Sequence, residues 1–317
     1  MNGYIYQGIF GLCLGDAMGV PYEFRTKREM LFHPAKEEMV GYGSHNQPAG
    51  TWSDDTSMTL CLADSLAETW PLVDYRDIMQ RFERWLYQAD YTAGQKVFDC
   101  GNSCRESISR FKFRDPVLCG GIQGRDNGNG SLMRILPLAF YIRKKYPDME
   151  IGEEQMKLVA EVSSLTHRHP RSIVACGIYI CAALEIMRTG CLKEGIQKGV
   201  QKAFSFYERD PKYGGQLEHF SEIQNPEKLA KRPAVEIIGK GYVVDTLKTA
   251  LWSLMRSESF KDAILNCINC GYDTDTTAAV AGGLAGLVYP LPGDWLQTIQ
   301  NRELVSEVCR NLERALQ

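Results

Sequence analysis

Two acidic runs lie more than two hundred residues apart in this 317-residue chain, and each stands at the head of a helical pattern. "WSDDTSMTLCLADSLAETW" sets Ser53, Asp54, Asp55 and Thr56 just before the stripe Met58, Leu62 and Leu66. "GYDTDTTAAVAGGLAGLVY" sets Asp273, Asp275, Thr276 and Thr277 before an apolar, glycine-rich stretch. A helix start needs one Ser, Thr or Asp, whose side chain accepts from the unpaired N–H groups of the first turn. It does not need Asp54 beside Asp55, whose repulsion costs free energy unless a cation offsets it. The fold must therefore supply positive charge to these runs, and a shared divalent cation does so for both at once.

The donors within the runs are carboxylates and hydroxyls, with no His or Cys among them, a set that suits Mg²⁺ or Mn²⁺ rather than zinc. Four carboxylates suffice for two ions at the usual separation of about 3.5–4 Å. An EF-hand is excluded by spacing. Counting from Asp273, Ala278 stands where the loop needs Gly, and Leu284 where it needs Glu.

The remaining pattern is helical. Ile78, Phe82, Trp85 and Leu86 share a face, as do Ile173, Ile180, Leu184 and Met187, and Val244, Leu247, Leu251 and Leu254. Alternating strand patterns are nearly absent, which predicts an all-α fold. The polar stretch 210–233, with its Pro, Gly and Lys, reads as a linker or a long surface loop. Because a site shared by the two acidic runs needs both halves, residues 1–317 are read as one domain. Tyr213 and Phe220 are expected to anchor the stretch rather than to bind a ligand.

A net charge of −3 gives no general attraction for nucleic acid or an anionic membrane. Eleven cysteines, many in apolar surroundings, fit a reduced intracellular chain rather than a disulfide framework, and the lone CxxC at Cys267 and Cys270 reads as helix packing. No basic leader precedes the apolar N-terminal stretch, which Asp16 and Glu23 interrupt, and no run of eighteen apolar residues occurs. The expectation is a soluble, cytoplasmic protein.

Seven segments, in order, resemble the ADP-ribosylglycohydrolases: "GLCLGDAMGVPYEF", "WSDDTSMTL", "FDCGNSCR", "GRDNGNGSLMRILPLAF", "THRHP", "GKGYVVDTLKTALWSL" and "GYDTDTTAAVAGGLAGLVY". The resemblance implies a compact, single-domain helical fold with a binuclear Mg²⁺ or Mn²⁺ centre at the base of an ADP-ribose cleft. It implies Ser53, Asp54, Asp55, Asp273, Asp275 and Thr276 as metal ligands, with Ser53 where the family more often has Thr.

Glu23 follows a Gly/Pro-rich turn, where a solvated acid is the ordinary expectation. The resemblance makes it a site residue near the metals on a mobile flap. Gly124, Arg125, Asp126, Asn127, Gly128, Asn129 and Gly130 form a glycine-punctuated loop whose N–H groups can approach phosphate oxygens. The family places the diphosphate and ribose there, with Ser131 following. His167, which on its own reads as a cap or packing residue, becomes an ADP-ribose contact, while His169 has weaker support. Asp99 could simply cap a turn. Its motif is similar to one that contributes an aspartate for ribose chemistry in arginine-directed bacterial members. Cys100 beside it has no basic neighbour to make it a nucleophile.

The implied reaction releases ADP-ribose from a modified acceptor, most readily ADP-ribosyl-arginine, with Glu23, Asp54 or Asp99 transferring protons. Alternatives are an ADP-ribosyl-serine or O-acetyl-ADP-ribose linkage, an inactive ADP-ribose-binding or structural relative, and a two-metal phosphodiesterase. "GNGSL" lacks the GxSxG spacing of a serine nucleophile elbow.

Overall fold

The computed structural model describes residues 3–147 and 150–317. Among these residues the chain is helical, without a β-strand. In order it forms α1 (Tyr4–Gly19), α2 (Lys27–Phe32), α3 (Asp54–Glu68), α4 (Tyr75–Gln88), α5 (Asn102–Arg110), α6 (Leu136–Lys145), α7 (Glu153–Ser164) and α8 (Pro170–Thr189). There follow α9 (Leu192–Tyr207), α10 (Pro226–Ala230), α11 (Val243–Arg256), α12 (Phe260–Ile268), α13 (Thr274–Ala285), α14 (Gly293–Thr298) and α15 (Arg302–Ala315). The buried apolar side chains form one connected core.

The expected stripes are the buried faces. In α4, Asp74 caps the start by accepting from the N–H groups of Arg76 and Asp77, and Ala89 ends the helix in the left-handed conformation. Between them Ile78, Phe82, Trp85 and Leu86 enter the core. Helix α8 is long and apolar enough to cross a membrane, yet 83% of its apolar window is buried inside the protein, so it serves as a core helix.

The glycines of α13 have a packing explanation. Gly11, Gly15 and Gly19 recur every four residues along α1 and meet α13 backbone to backbone. A Cβ added at Gly15 would lie 2.1 Å from the Ala278 carbonyl oxygen, and one at Gly19 would lie 2.3 Å from Asp275 Cα. In return, a Cβ at Gly282 would fall 2.2 Å from the Gly11 carbonyl oxygen. No side chain fits in such a seam. Thr274 closes its end by donating to the Gly19 carbonyl at 2.8 Å, so the C-terminus of α1 is fixed against the N-terminus of α13.

The stretch 210–233 is neither a linker nor an open loop. Its 3-10 helix Gly214–Phe220 and α10 pack on α8, α9 and α11. Tyr213, Phe220, Ile223 and Leu229 are buried, and the Tyr213 ring meets Tyr207 edge-on at 5.9 Å. A polar composition concealed one apolar anchor every few residues. All eleven cysteines are free thiols, and Cys270 Sγ donates to the Asn266 carbonyl within its own helical turn.

Candidate active site

The two acidic helix starts meet. Ser53 is the N-cap of α3, its Oγ 3.3 Å from the Asp55 N–H and 3.0 Å from Asp55 Oδ2. From the other end of the chain, Thr276 donates its hydroxyl to the same Asp55 oxygen at 3.4 Å. Donor atoms of Asp16, Asp55 and Asp275 lie within 4.8 Å of one another.

Asp16 corrects the sequence reading, in which it only interrupts an apolar stretch. It is fully buried on α1, and its carboxylate accepts from the Ser53 N–H at 3.0 Å, the Thr56 N–H at 3.0 Å and the Thr56 hydroxyl at 2.6 Å. A residue of one helix thus caps another and fixes the first turn of α3. The signal was a lone aspartate inside "GLCLGDAMG". Burial pushes its pKa up to about 6, against the pull of those donors.

Asp273 occupies the N-cap position of α13, but its side chain makes no cap. Its Oδ2 accepts instead from Asn129 Nδ2 at 2.9 Å, and the same amide nitrogen donates to Thr246 Oγ1 at 2.9 Å. Asp275 is fully buried, with Oδ1 accepting from the Thr276 N–H at 2.9 Å. Asp55 Oδ1, Asp273 Oδ1 and Asp275 Oδ2 are buried without a hydrogen-bond partner. Unmatched carboxylate oxygens inside a protein are costly, and those of Asp55 and Asp275, which share one group, fit a hard divalent cation held by oxygen donors, while Asp273 stands outside that group.

A second group shares Asp275. Donor atoms of Glu23, His45, Asp99 and Asp275 also lie within 4.8 Å of one another. Glu23 is hydrogen-bonded to His45 Nε2, which lies 4.0 Å from Asp99 Oδ2. Asp54 is buried, only 6% exposed. Burial, then repulsion from Asp99, Asp16 and Glu23, pushes its carboxyl well above the usual range. The Asp55 and Asp275 carboxyls are raised in the same way, burial first and neighbouring acids second. Burial raises Glu23 to about 8, although its bond to His45 opposes the shift. The same bond raises His45. Nothing in "GSHNQPAG" marked His45 beforehand.

The turn bearing Glu23 is tied to the second acidic run. Phe24 N–H donates to the Tyr272 carbonyl and Tyr272 N–H to the Arg25 carbonyl, both at 2.6 Å.

The glycine-punctuated loop lies alongside. Gly124 and Arg125 are exposed in a 3-10 turn, which Asp126 closes by accepting from the Gln123 N–H at 2.7 Å. The Asn127 carbonyl accepts from the Val243 N–H, and the Gly128 carbonyl from Ser172 Oγ. At Gly130 a Cβ would fall 2.7 Å from His167 Cε1, so the loop rests directly on that ring. Ser131 is fully buried behind it, bonded to Ser163 Oγ at 2.9 Å. Burial, with Arg134 nearby, pushes His167 down to about 3, leaving the imidazole neutral. His169 caps α8, its Nδ1 accepting from the Arg171 N–H at 3.1 Å. Burial also raises the Cys100 thiol, which suits an inert thiol rather than a nucleophile.

A concavity of about 1450 Å³ lies elsewhere, lined by residues that include Met156, Ile173, Tyr207 and Tyr213. None of the clustered acids lines it, so chemistry rather than size locates the candidate site.

Residues 4–317 match the family profile described as ADP-ribosylglycohydrolase. The chain is 30% identical over 308 residues to ADP-ribosylarginine hydrolase Tri1 of Pseudomonas putida (strain GB-1), covering 96% of this chain and 76% of that protein. It is 29% identical over 313 residues to ADP-ribosyl-(dinitrogen reductase) glycohydrolase of Rhodospirillum rubrum, covering 96% and 93%. A solved structure described as an "ADP-ribosylglycohydrolase-related protein complex" superposes with a TM-score of 0.78 at 29% identity, over 99% of this chain and 98% of the other.

Proposed function

The chain belongs to the ADP-ribosylglycohydrolase family, and on that premise we propose that it releases ADP-ribose from ADP-ribosyl-arginine, using two divalent cations, Mg²⁺ or Mn²⁺. The observation that carries this reading is the convergence of Asp16, Asp55 and Asp275 within 4.8 Å, with a buried oxygen of Asp55 and another of Asp275 left without a donor. Arginine is favoured as the acceptor because a 30% identical relative is named an ADP-ribosylarginine hydrolase, and because Asp99 stands in the acidic group.

Ser53, Asp54, Asp55, Asp273, Asp275 and Thr276 would hold the cations. When bound, these would supply the positive charge that offsets the carboxylates and orients ribose oxygens and water. The bond to be broken joins ribose C1″ to a guanidino nitrogen. Water adds to C1″, and the electron pair of the broken bond returns to the nitrogen with a proton. Of the three acids Glu23, Asp54 and Asp99, those not engaged by a cation would move these protons, one giving a proton to the nitrogen and one taking a proton from water. N–H groups of the loop from Gly124 to Gly130 would bind the diphosphate, with neutral His167 beneath it.

The test is to incubate the full chain with ADP-ribosyl-arginine peptide, ADP-ribosyl-serine peptide and O-acetyl-ADP-ribose, with Mg²⁺ or Mn²⁺ and again after chelation. The expected result is ADP-ribose from the arginine substrate, abolished by chelation. Release of AMP instead would point to a phosphodiesterase, and no release from any of the three would overturn the proposal.

A further inference from the structure

The carboxylate and hydroxyl set described above is built from oxygen alone, but one end of the site contains nitrogen. His45 reaches it from a loop that the rest of the fold holds in place. Ser44 N–H donates to the Pro21 carbonyl at 3.2 Å, and the Ser44 hydroxyl donates to the Glu23 carbonyl. A Cβ on Gly43 would lie 1.9 Å from the Pro21 carbonyl oxygen, so the loop lies flat on the turn that carries Glu23. Across the loop, Tyr42 N–H donates to the Gln47 carbonyl at 2.7 Å. Two phenyl rings lie near the imidazole, both tilted to it, with centroids 5.5 Å away for Phe24 and 5.3 Å for Phe98. Its side chain is 13% exposed.

Held this way, Nε2 faces three carboxylates. It is bonded to Glu23, is 4.0 Å from Asp99 Oδ2, and lies within the 4.8 Å group that includes Asp275. Asp275 is fully buried, and its Oδ2 has no partner. That unmatched oxygen is a second indication, beyond the clustering of acids, that a ligand belongs here. Among the described residues, His45 is the one nitrogen donor in either group.

We propose that His45 is a nitrogen ligand to a divalent cation held with Glu23, Asp99 and Asp275, which makes this end of the site a mixed nitrogen and oxygen position that favours Mn²⁺ over Mg²⁺. Mn²⁺ stands at the weak end of the first-row series but, as a transition ion, takes a nitrogen donor more readily than Mg²⁺, which keeps to oxygen donors and water. On binding, the Glu23–His45 hydrogen bond gives way to two bonds to one ion. The proposal rests on the reading that the acidic site binds cations.

The full chain, stripped of metal and crystallised with Mn²⁺, tests it by anomalous scattering from the manganese. A peak within coordination distance of His45 Nε2 is the expected result. Calorimetry on the same protein and on His45→Gln should show the ratio of Mn²⁺ to Mg²⁺ affinity falling about tenfold in the variant, with helicity unchanged by circular dichroism. The diffraction arm uses the unaltered chain, so it holds even if the variant misfolds. Manganese peaks bound by carboxylates alone, or an unchanged affinity ratio in a folded variant, would overturn the proposal and leave the oxygen-bound cations standing. No manganese peak anywhere would remove the cation reading, and this inference with it.

Discussion

Thr276 and Asp55 are 221 residues apart in the chain and 3.4 Å apart in space, hydroxyl to carboxylate, at the heads of two different helices. Around that contact, buried acids face one another with too few donors. Asp275 is common to both groups of acids, so Asp275→Asn should abolish cation binding and lower activity by about 100-fold or more. Removing one repelling buried charge should at the same time raise the melting temperature of the metal-free protein. Thermal scans with and without Mg²⁺ check both. A metal-free variant less stable than the parent would contradict the repulsion argument.

Stability without metal should fall as pH rises. Asp16 and Glu23 are held at about 6 and about 8, above the ordinary carboxyl range. A raised acid binds its proton more tightly folded than unfolded, so the folded state is favoured at low pH and loses that advantage as pH climbs through those values. Chelated protein scanned from pH 5 to pH 8 should lose roughly 5 °C in Tm. Mg²⁺ or Mn²⁺ added at pH 8 should restore it.

Asn129 belongs to the substrate loop by sequence, yet its amide supports Asp273 and Thr246. Asn129→Ala leaves Asp273 Oδ2 without its donor. Cation affinity measured by calorimetry should fall roughly 10–100-fold. A loss confined to substrate KM would mean that the side chain serves the ligand rather than the acid.

Gly15→Ala should cost about 1–3 kcal/mol or more in urea unfolding, because its Cβ would lie 2.1 Å from the Ala278 carbonyl oxygen. Gly94→Ala, where nothing lies within 4 Å, is the control and should stay near the parent. Forcing α1 from α13 also displaces Asp16 from Asp275, so the first variant should weaken Mn²⁺ binding as well.

What the sequence disclosed was local in origin. The stripe on α4 and the hydroxyl-plus-acid start of α3 are fixed by residues a few positions apart, and both are found where the pattern put them. Asp16 and His45 were passed over because their meaning is purely tertiary. One becomes a cap only when α1 lies beside α3, and the other comes near the acids only when its loop folds onto Pro21 and Glu23. Ser131 looked available beside the cleft motifs, but the structure turns it inward, and His169, the weaker candidate, is a helix cap. The 210–233 stretch misled for a related reason, since a few buried anchors such as Phe220 and Leu229 outweigh many exposed polar residues.

The pair of main-chain bonds between Tyr272 and the turn after Glu23 also sets a timescale. Opening that turn to admit a bulky substrate must break both, at a net cost of about 1 kcal/mol each, along with the grip of Ser44. If opening costs only those bonds, an open form would lie a few kcal/mol above the closed one, would be populated at roughly the per-cent level and would interconvert in microseconds to milliseconds. On the proposed function, the same peptide groups that keep Glu23 beside the acids would ration admission to the cleft, and turnover could be no faster than they part.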